Sequence, residues 1–343
     1  MRHEGITAIS LDKRPGRWNL PSLILKLWAC VREVRPHVVH GYMGGGPNEL
    51  TVLIGKLHGA RTVWGIRASD VDHSTYGWYS SLVFMVGAWL SRFPDLIIVN
   101  SEAGRRHHIA RGYCGDHMKV IHNGVDSSRF RPDEEAGDRC RREWGISRHL
   151  FVIGIVARLD PMKDHRNFLR AAAMLARQRD DVRFVCVGTG SPSVASSLRE
   201  IAVELGVDGI VTWLGQRTDL PAVYNGFDLA TSASAFGEGF SNAIAEAMAC
   251  GIPCVATNVG DAAIIMGDTG RIVPPGDSQA LCSAWNDLYS LDATERAILA
   301  RRARVRIVEN FSLEVFRRES LQAIGRLCES DETNRTRMVP VQS

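Results

Sequence analysis

Two glutamates eight positions apart, Glu238 and Glu246, stand in the run FGEGFSNAIAEAMACGIPCVATNVG at residues 236–260. Gly237 and Gly239 flank Glu238 and let the backbone come close to a ligand. Ser241 and Asn242 are good helix-capping types, so the helix they open should turn unpaired amides and its positive end toward that ligand. Ala243, Ala247 and Cys250 are small and allow tight packing on a sheet. A carboxylate one turn into the helix, Glu246, can reach vicinal hydroxyls such as those of a ribose, and Glu238 would sit nearer a sugar. The competing reading is two surface glutamates on an amphipathic helix. The surrounding G-E-G-F and E-A-M-A-x-G-x-P pattern weighs against it.

Other candidates lie at strand ends. GIVARLDPMKD puts Arg158 and Lys163 in a loop after a strand, where parallel sheets bind ligands. Gly188 and Gly190 end the strand of FVCVGTGS, where backbone can line a nucleotide cleft. His40 follows an apolar strand and reads equally as a ligand contact and as a satisfied structural histidine. Arg67, in VWGIRASD, could hold a phosphate. Asp70 and Asp72 form a DVD triplet that reads better as surface or helix-start carboxylates than as metal ligands. No CxxC pairs with a distant HxxxH, which argues against zinc.

These residues need scaffolds. Apolar strands alternate with helical segments, which predicts an α/β protein of parallel sheets covered by helices. In the first half, strands are expected at 5–11, around HVVHGY, at RTVWGI, at 95–101 and at 118–126. Residues 127–148 are charged and read as an irregular connection, after which a second alternating series begins with HLFVIGIVARL. Trp78 to Leu90 (WYSSLVFMVGAWL) is too short to span a bilayer. It reads first as a buried helix, and otherwise as a helix lying on a membrane surface with its tryptophans at headgroup level. A formal charge of only +3 argues against nucleic acid as a partner. The opening residues lack the apolar run of a secretory signal and the cysteines are scattered, so a reducing, cytoplasmic setting is expected.

The segment from Glu238 to Glu246 resembles the E-x7-E signature of retaining family 4 glycosyltransferases. RPHVVHGY, DLIIVNSE, VIHNGVDSSRFRP, TWLGQRTDLPAVYNGFDL and GRIVPPGD follow in the same order as in that family. The resemblance runs from about His37 to Phe316. It implies the GT-B fold, two Rossmann-like domains facing across a cleft. An acceptor domain would occupy 1–130, a linker 131–148 and a donor domain 149–311, with a helix at 312–329 packing back on the first domain and a flexible tail at 330–343. The family's first strand and glycine-rich loop have no counterpart after Met1, so the first domain is expected to lack them.

The resemblance assigns Arg158 and Lys163 to the donor diphosphate. Fixed cations there stabilise a departing nucleotide more than the bound donor. It assigns Glu246 to the ribose, and Glu238, Gly239, Phe240, Ser241 and Asn242 to the sugar and phosphates. Gly188, Gly190, Gly215 and Gln216 line the nucleotide, while Asp219 begins a helix and Asn123 and Gly124 shape the turn into the linker. His40 and Arg67 serve the acceptor side, although Arg67 stands where many members carry a histidine. The expected activity is a retaining, metal-independent transfer of a hexosyl unit, with no cofactor beyond the nucleotide-sugar co-substrate. The donor is expected to be a UDP-sugar, and the acceptor a glycan or lipid-linked molecule of surface polysaccharide synthesis at the inner membrane face. The alternatives are a sugar-nucleotide epimerase or hydrolase on the same fold, or a nucleotide-sugar-binding protein without turnover.

Overall fold

A computed structural model describes residues 7, 9–11, 20–42, 47–67 and 77–337. The first sheet contains β1 (Val38–Gly41), β2 (Arg61–Ile66), β3 (Leu96–Val99) and β4 (Met118–Val120), all parallel and in that spatial order. The second contains β5 (Phe151–Val156), β6 (Val182–Val187), β7 (Val211–Gly215), β8 (Leu229–Ser232), β9 (Cys254–Thr257) and β10 (Gly270–Val273). Its order is β10-β9-β8-β5-β6-β7, again parallel. Ile153 of β5 pairs with Phe184 of β6 on one side and with Leu229 of β8 on the other. The strand order reverses at β5, and a crevice opens beyond the carboxyl ends of strands at such a point.

The strands read as apolar runs because helices cover both faces. On one face of the second sheet, Phe168, Phe184 and Trp285 pack edge to face, and the Trp285 indole donates to Thr231 Oγ1 at 3.0 Å. On the other, the small helix Asn242–Ala249 buries Ile244, Ala245, Ala247, Met248 and Ala249. The first sheet is finished by the far end of the sequence. Phe316, Ala323, Ile324 and Leu327, on the helix Leu313–Arg337, pack on Val63, Leu96, Ile98 and Ile121. The two chain crossings between the lobes run side by side: Val125 N donates to Phe311 O at 2.8 Å and Leu313 N to Val125 O at 2.9 Å.

Of the strand expected at 5–11, residues 5, 6 and 8 lie outside the described residues; residues 7 and 9–11 are not in a strand, and Ile9 is 56% exposed. Two expectations are corrected. The charged stretch after residue 130 is not irregular. Asp133 caps a helix, Glu134–Glu143, by accepting from Ala136 N. Its charges lie outward while Ala136, Gly137 and Cys140 are buried, and Asp133 N and Arg141 reach Asn225 and Asp228 of the second lobe. The helix Gly77–Leu90 is not buried either. Leu82, Met85, Val86 and Trp89 are 43%, 61%, 44% and 58% exposed, and Phe93 just beyond is 46% exposed. Phe84 and Gly87 face inward against Tyr113. Among the described residues no helix is long and apolar enough to cross a membrane.

Candidate active site

The loop after β5 carries both expected cations. Arg158 is exposed. Asp160 then accepts from Met162 N at 2.9 Å and fixes a short 3-10 turn, Pro161–Lys163. Met162 O accepts from Ala235 N at 2.9 Å, which binds this turn to the loop after β8. Lys163 Nζ thereby meets Glu238 in an ion pair, with side-chain exposures of 19% and 11%. Ser234 Oγ donates to the same glutamate oxygen at 2.7 Å, and Thr257 Oγ1 anchors Ser234 O at 2.6 Å. The sequence placed Lys163 on phosphate and Glu238 on sugar. In the structure each holds the other.

Two of the expected glycines lie close against the protein's own backbone. Gly188 has φ +140, and a Cβ there would lie 1.9 Å from Ala157 O. A Cβ on Gly190 would lie 2.2 Å from Leu159 O. Leu159 N donates to Thr189 O at 2.9 Å. The two glycines therefore seat the Arg158 loop against the end of β6. Gly215 has φ +66 and open space around it, and Gln216 beside it is exposed. Asp219 occupies the position before the helix Leu220–Asn225 but does not cap it, because its carboxylate binds Arg217 at 2.7 and 2.8 Å.

The Phe240 side chain is 5% exposed and packs on His122 and Phe311 in the core, which leaves its backbone to meet a ligand. Ser241 precedes the helix Asn242–Ala249 without a side-chain cap bond. Gly239 O is taken by Asp261 N at 2.9 Å. Glu246 lies on that helix and accepts from Tyr224 Oη at 3.1 Å. Burial pushes its carboxyl above the usual range, and the bonds and charges of Tyr224 and Arg129 offset only part of this. A carboxylate must be ionised to accept strongly from ribose hydroxyls. Donor affinity should therefore weaken on acidification at a higher pH than an ordinary glutamate would set. Glu246→Gln should abolish that step and raise the donor Kd about tenfold, the cost of one charge-assisted hydrogen bond. Calorimetric titration across pH measures both.

On the first lobe, His40 lies one residue before the end of β1 and stacks on Tyr42 with ring centres 4.0 Å apart. Burial, and secondarily Arg67, lower its pKa to about 4, so the imidazole is neutral at physiological pH. Its Nε2 is buried with no hydrogen-bond partner among the described residues. Arg67 follows β2, lies over the Tyr42 ring and donates to Asn123 Oδ1 at 3.1 Å. His40, Tyr42, Arg67, Asn100, Phe316 and Ser320 line a small pocket there. Asp70 and Asp72 lie outside the described residues. Among the described residues, no group of three or more His, Cys, Asp or Glu side chains is placed to hold a metal ion.

The lobes are joined by residues that sequence reasoning gave a smaller part or missed. Asn123 does more than shape a turn: its Nδ2 donates to Asn242 Oδ1 at 3.1 Å, extending the Arg67 contact to the second lobe. His122 Nε2 lies 2.9 Å from Asp261 Oδ2. Asp261 also accepts from Glu102 N at 2.7 Å and Ala103 N at 2.9 Å. Burial alone would raise its pKa, but the bonds from His122 and the two amides outweigh it and hold the carboxyl below the usual range. The only sequence signal was an acidic residue in NVGDAA.

Two parallel α/β lobes with a charged crevice at the switch point of the second are the GT-B architecture of glycosyltransferases. The chain belongs to the family of group 1, family 4 glycosyltransferases. The family model for glycosyl transferases group 1 matches residues 151–290, and that for glycosyltransferase family 4 matches residues 3–129. Among solved structures, Anabaena Alr3699/HepE in complex with UDP superposes with a TM-score of 0.80 at 24% identity, over 89% of this chain and 82% of that one. A glycosyltransferase of Rickettsia africae gives a TM-score of 0.78 at 21% identity, over 92% and 84%. At these identities the likeness is one of fold. Among curated relatives, a D-inositol 3-phosphate glycosyltransferase of Salinispora tropica is 35% identical over 264 residues, 71% of this chain and 53% of the relative. That of Corynebacterium efficiens is 34% identical over 233 residues, 64% and 53%. The chain spans about half the length of the curated relatives it matches.

Proposed function

We propose that the protein transfers a hexosyl unit from a UDP-sugar to a hydroxyl of an anionic glycan or lipid-linked acceptor, with retention at the anomeric carbon and without a metal. The observation that carries this is the Lys163–Glu238 pair at the switch point, with exposed Arg158 in the same loop and Glu246 on the helix behind. A diphosphate draws Lys163 and Arg158, freeing Glu238 to accept from sugar hydroxyls. The bond between C1 and the leaving phosphate oxygen breaks early. The acceptor oxygen bonds C1 from the same face, and its proton passes to the leaving phosphate, so no protein nucleophile is required. The UDP complex of the structural relative supports a uridine donor.

On the acceptor side, the exposed guanidinium of Arg67 beside the neutral His40 suits a phosphate near the reacting hydroxyl. The exposed apolar face of the helix Gly77–Leu90, with Arg92 beside it, supports peripheral contact with an anionic membrane surface and a role in surface polysaccharide synthesis. UDP-glucose and GDP-mannose titrated by calorimetry, then supplied with D-inositol 3-phosphate or a lipid phosphate as acceptor, test the reading. Binding of neither nucleotide sugar by the folded protein would end it. Arg67→Ala should raise the acceptor KM by about tenfold, the worth of one charge-assisted contact, and leave the donor KM unchanged. An unchanged acceptor KM removes Arg67 from the acceptor site.

A further inference from the structure

Asp261 stands just before the helix Ala262–Met266 but makes no side-chain bond to it. Its carboxylate, 0% exposed, reaches across to the first lobe instead. There the helix Glu102–Ala110 begins. Ser101 Oγ accepts from Gly104 N at 3.0 Å, and Asp261 accepts from Glu102 N and Ala103 N. The first-turn amides of one lobe are thus completed by an acid of the other, at the end where negative charge is favoured. His122 adds a third donor, and its ring sits against Phe240 and Phe311. The Asp261 amide meanwhile holds Gly239 O in the loop that carries Glu238. One residue therefore touches the first lobe with its side chain and the donor loop with its backbone.

We infer that Asp261 is a positioning residue for transfer, locking the helix Glu102–Ala110 and His122 to the Glu238 loop so that the acceptor hydroxyl and the donor C1 meet in register. This rests on the transfer reading above. Asp261 itself is placed away from substrate. Its contribution is alignment, and a misplacement on the order of 1 Å costs about a hundredfold in rate.

Asp261→Asn is the sharp test. Oδ2 accepts from Glu102 N and His122 Nε2 while Oδ1 accepts from Ala103 N, so either orientation of the amide sets its NH2 against a backbone donor. On a wild-type donor and acceptor pair, kcat for transfer should fall by about 10- to 100-fold. Donor Kd should stay within about twofold, because binding to the second lobe is intact. Hydrolysis of the donor by water should fall less than transfer, since water needs no docking on the first lobe. Unchanged transfer overturns the inference, and so does an equal loss of donor affinity, transfer and hydrolysis, which marks a purely structural role. If Asp261→Asn fails to fold, His122→Gln and His122→Leu decide. Gln, which keeps a donor near the Nε2 position, should retain transfer, and Leu should lose it; two equal variants overturn the inference. If the wild type binds no nucleotide sugar, the transfer reading fails by itself. Small-angle scattering then judges the lock: Asp261→Asn, or His122→Leu if that variant does not fold, should have the larger radius of gyration, and equal radii overturn it.

Discussion

Lys163→Ala should lower kcat by about 100- to 1000-fold, the range seen when one preorganised charge partner of a transition state is removed. Two losses combine in this variant. The ammonium that offsets the charge gathering on the departing diphosphate is gone. Glu238 then keeps the Ser234 hydroxyl but loses its cation in a site where its side chain is 11% exposed, and its charge repels the incoming donor. The fold should survive, because the loop is also fixed by Asp160 and by the Met162–Ala235 backbone bond. The double variant Lys163→Ala, Glu238→Gln separates the two losses. It should recover donor affinity lost to repulsion while turnover stays low. Steady-state kinetics with calorimetry of donor binding reads both. Near-normal turnover in the single variant would remove Lys163 from the catalytic machinery.

Gly188→Ala should be the most destabilising small change in the second lobe. Its φ of +140 lies where only glycine rests easily, and the added carbon would sit 1.9 Å from Ala157 O. Backbone cannot yield there without unseating the Arg158 loop, since Leu159 N is bonded to Thr189 O and a Cβ on Gly190 would press on Leu159 O. A cost of about 3 kcal/mol is expected, a fall in Tm of roughly 6–12 °C for a lobe of this size. Donor affinity should fall with it. Gly215→Ala is the control. It also has positive φ, at +66, but nothing lies within 4 Å. Its cost should be about 1–2 kcal/mol, the backbone term alone. Scanning calorimetry of the pair checks this, and equal Tm values would refute the close-packing account.

The contrast shows where the sequence was legible. A glycine at a strand end was readable as a position of close approach, because no other residue fits. What approaches it was not, since the partner is a carbonyl some 30 positions earlier whose location depends on the pairing of β5 with β6. The two lobes, the Arg158–Lys163 loop and the helix that carries Glu246 were readable because each is a local pattern: an apolar run, a turn, a run of small helix-forming residues after a glycine-rich loop. The burial of the Phe240 side chain was not legible, because an aromatic in such a motif carries the same letters whether it faces the crevice or the core. Asp261 escaped because its partners are 139 to 159 positions away and in the other lobe. No periodicity within NVGDAA distinguishes an acid that caps its own helix from one that caps another. The helix Glu134–Glu143 was hidden by its charge: only Ala136, Gly137 and Cys140 are buried, too few to register as an apolar stripe.

The packing of Phe316, Ala323, Ile324 and Leu327 on Val63, Ile98 and Ile121 sets an order for the protein's birth. A chain leaves the ribosome from its amino end, at about 5–20 residues per second. The strands of the first lobe emerge early, but the helix that covers one of their faces is made after the whole second lobe. During that interval, on the order of 10–40 s for the intervening residues, this face of the early sheet is bare while the six-stranded lobe can complete its own core. That apolar face gains its cover only when the helix Leu313–Arg337 has been made.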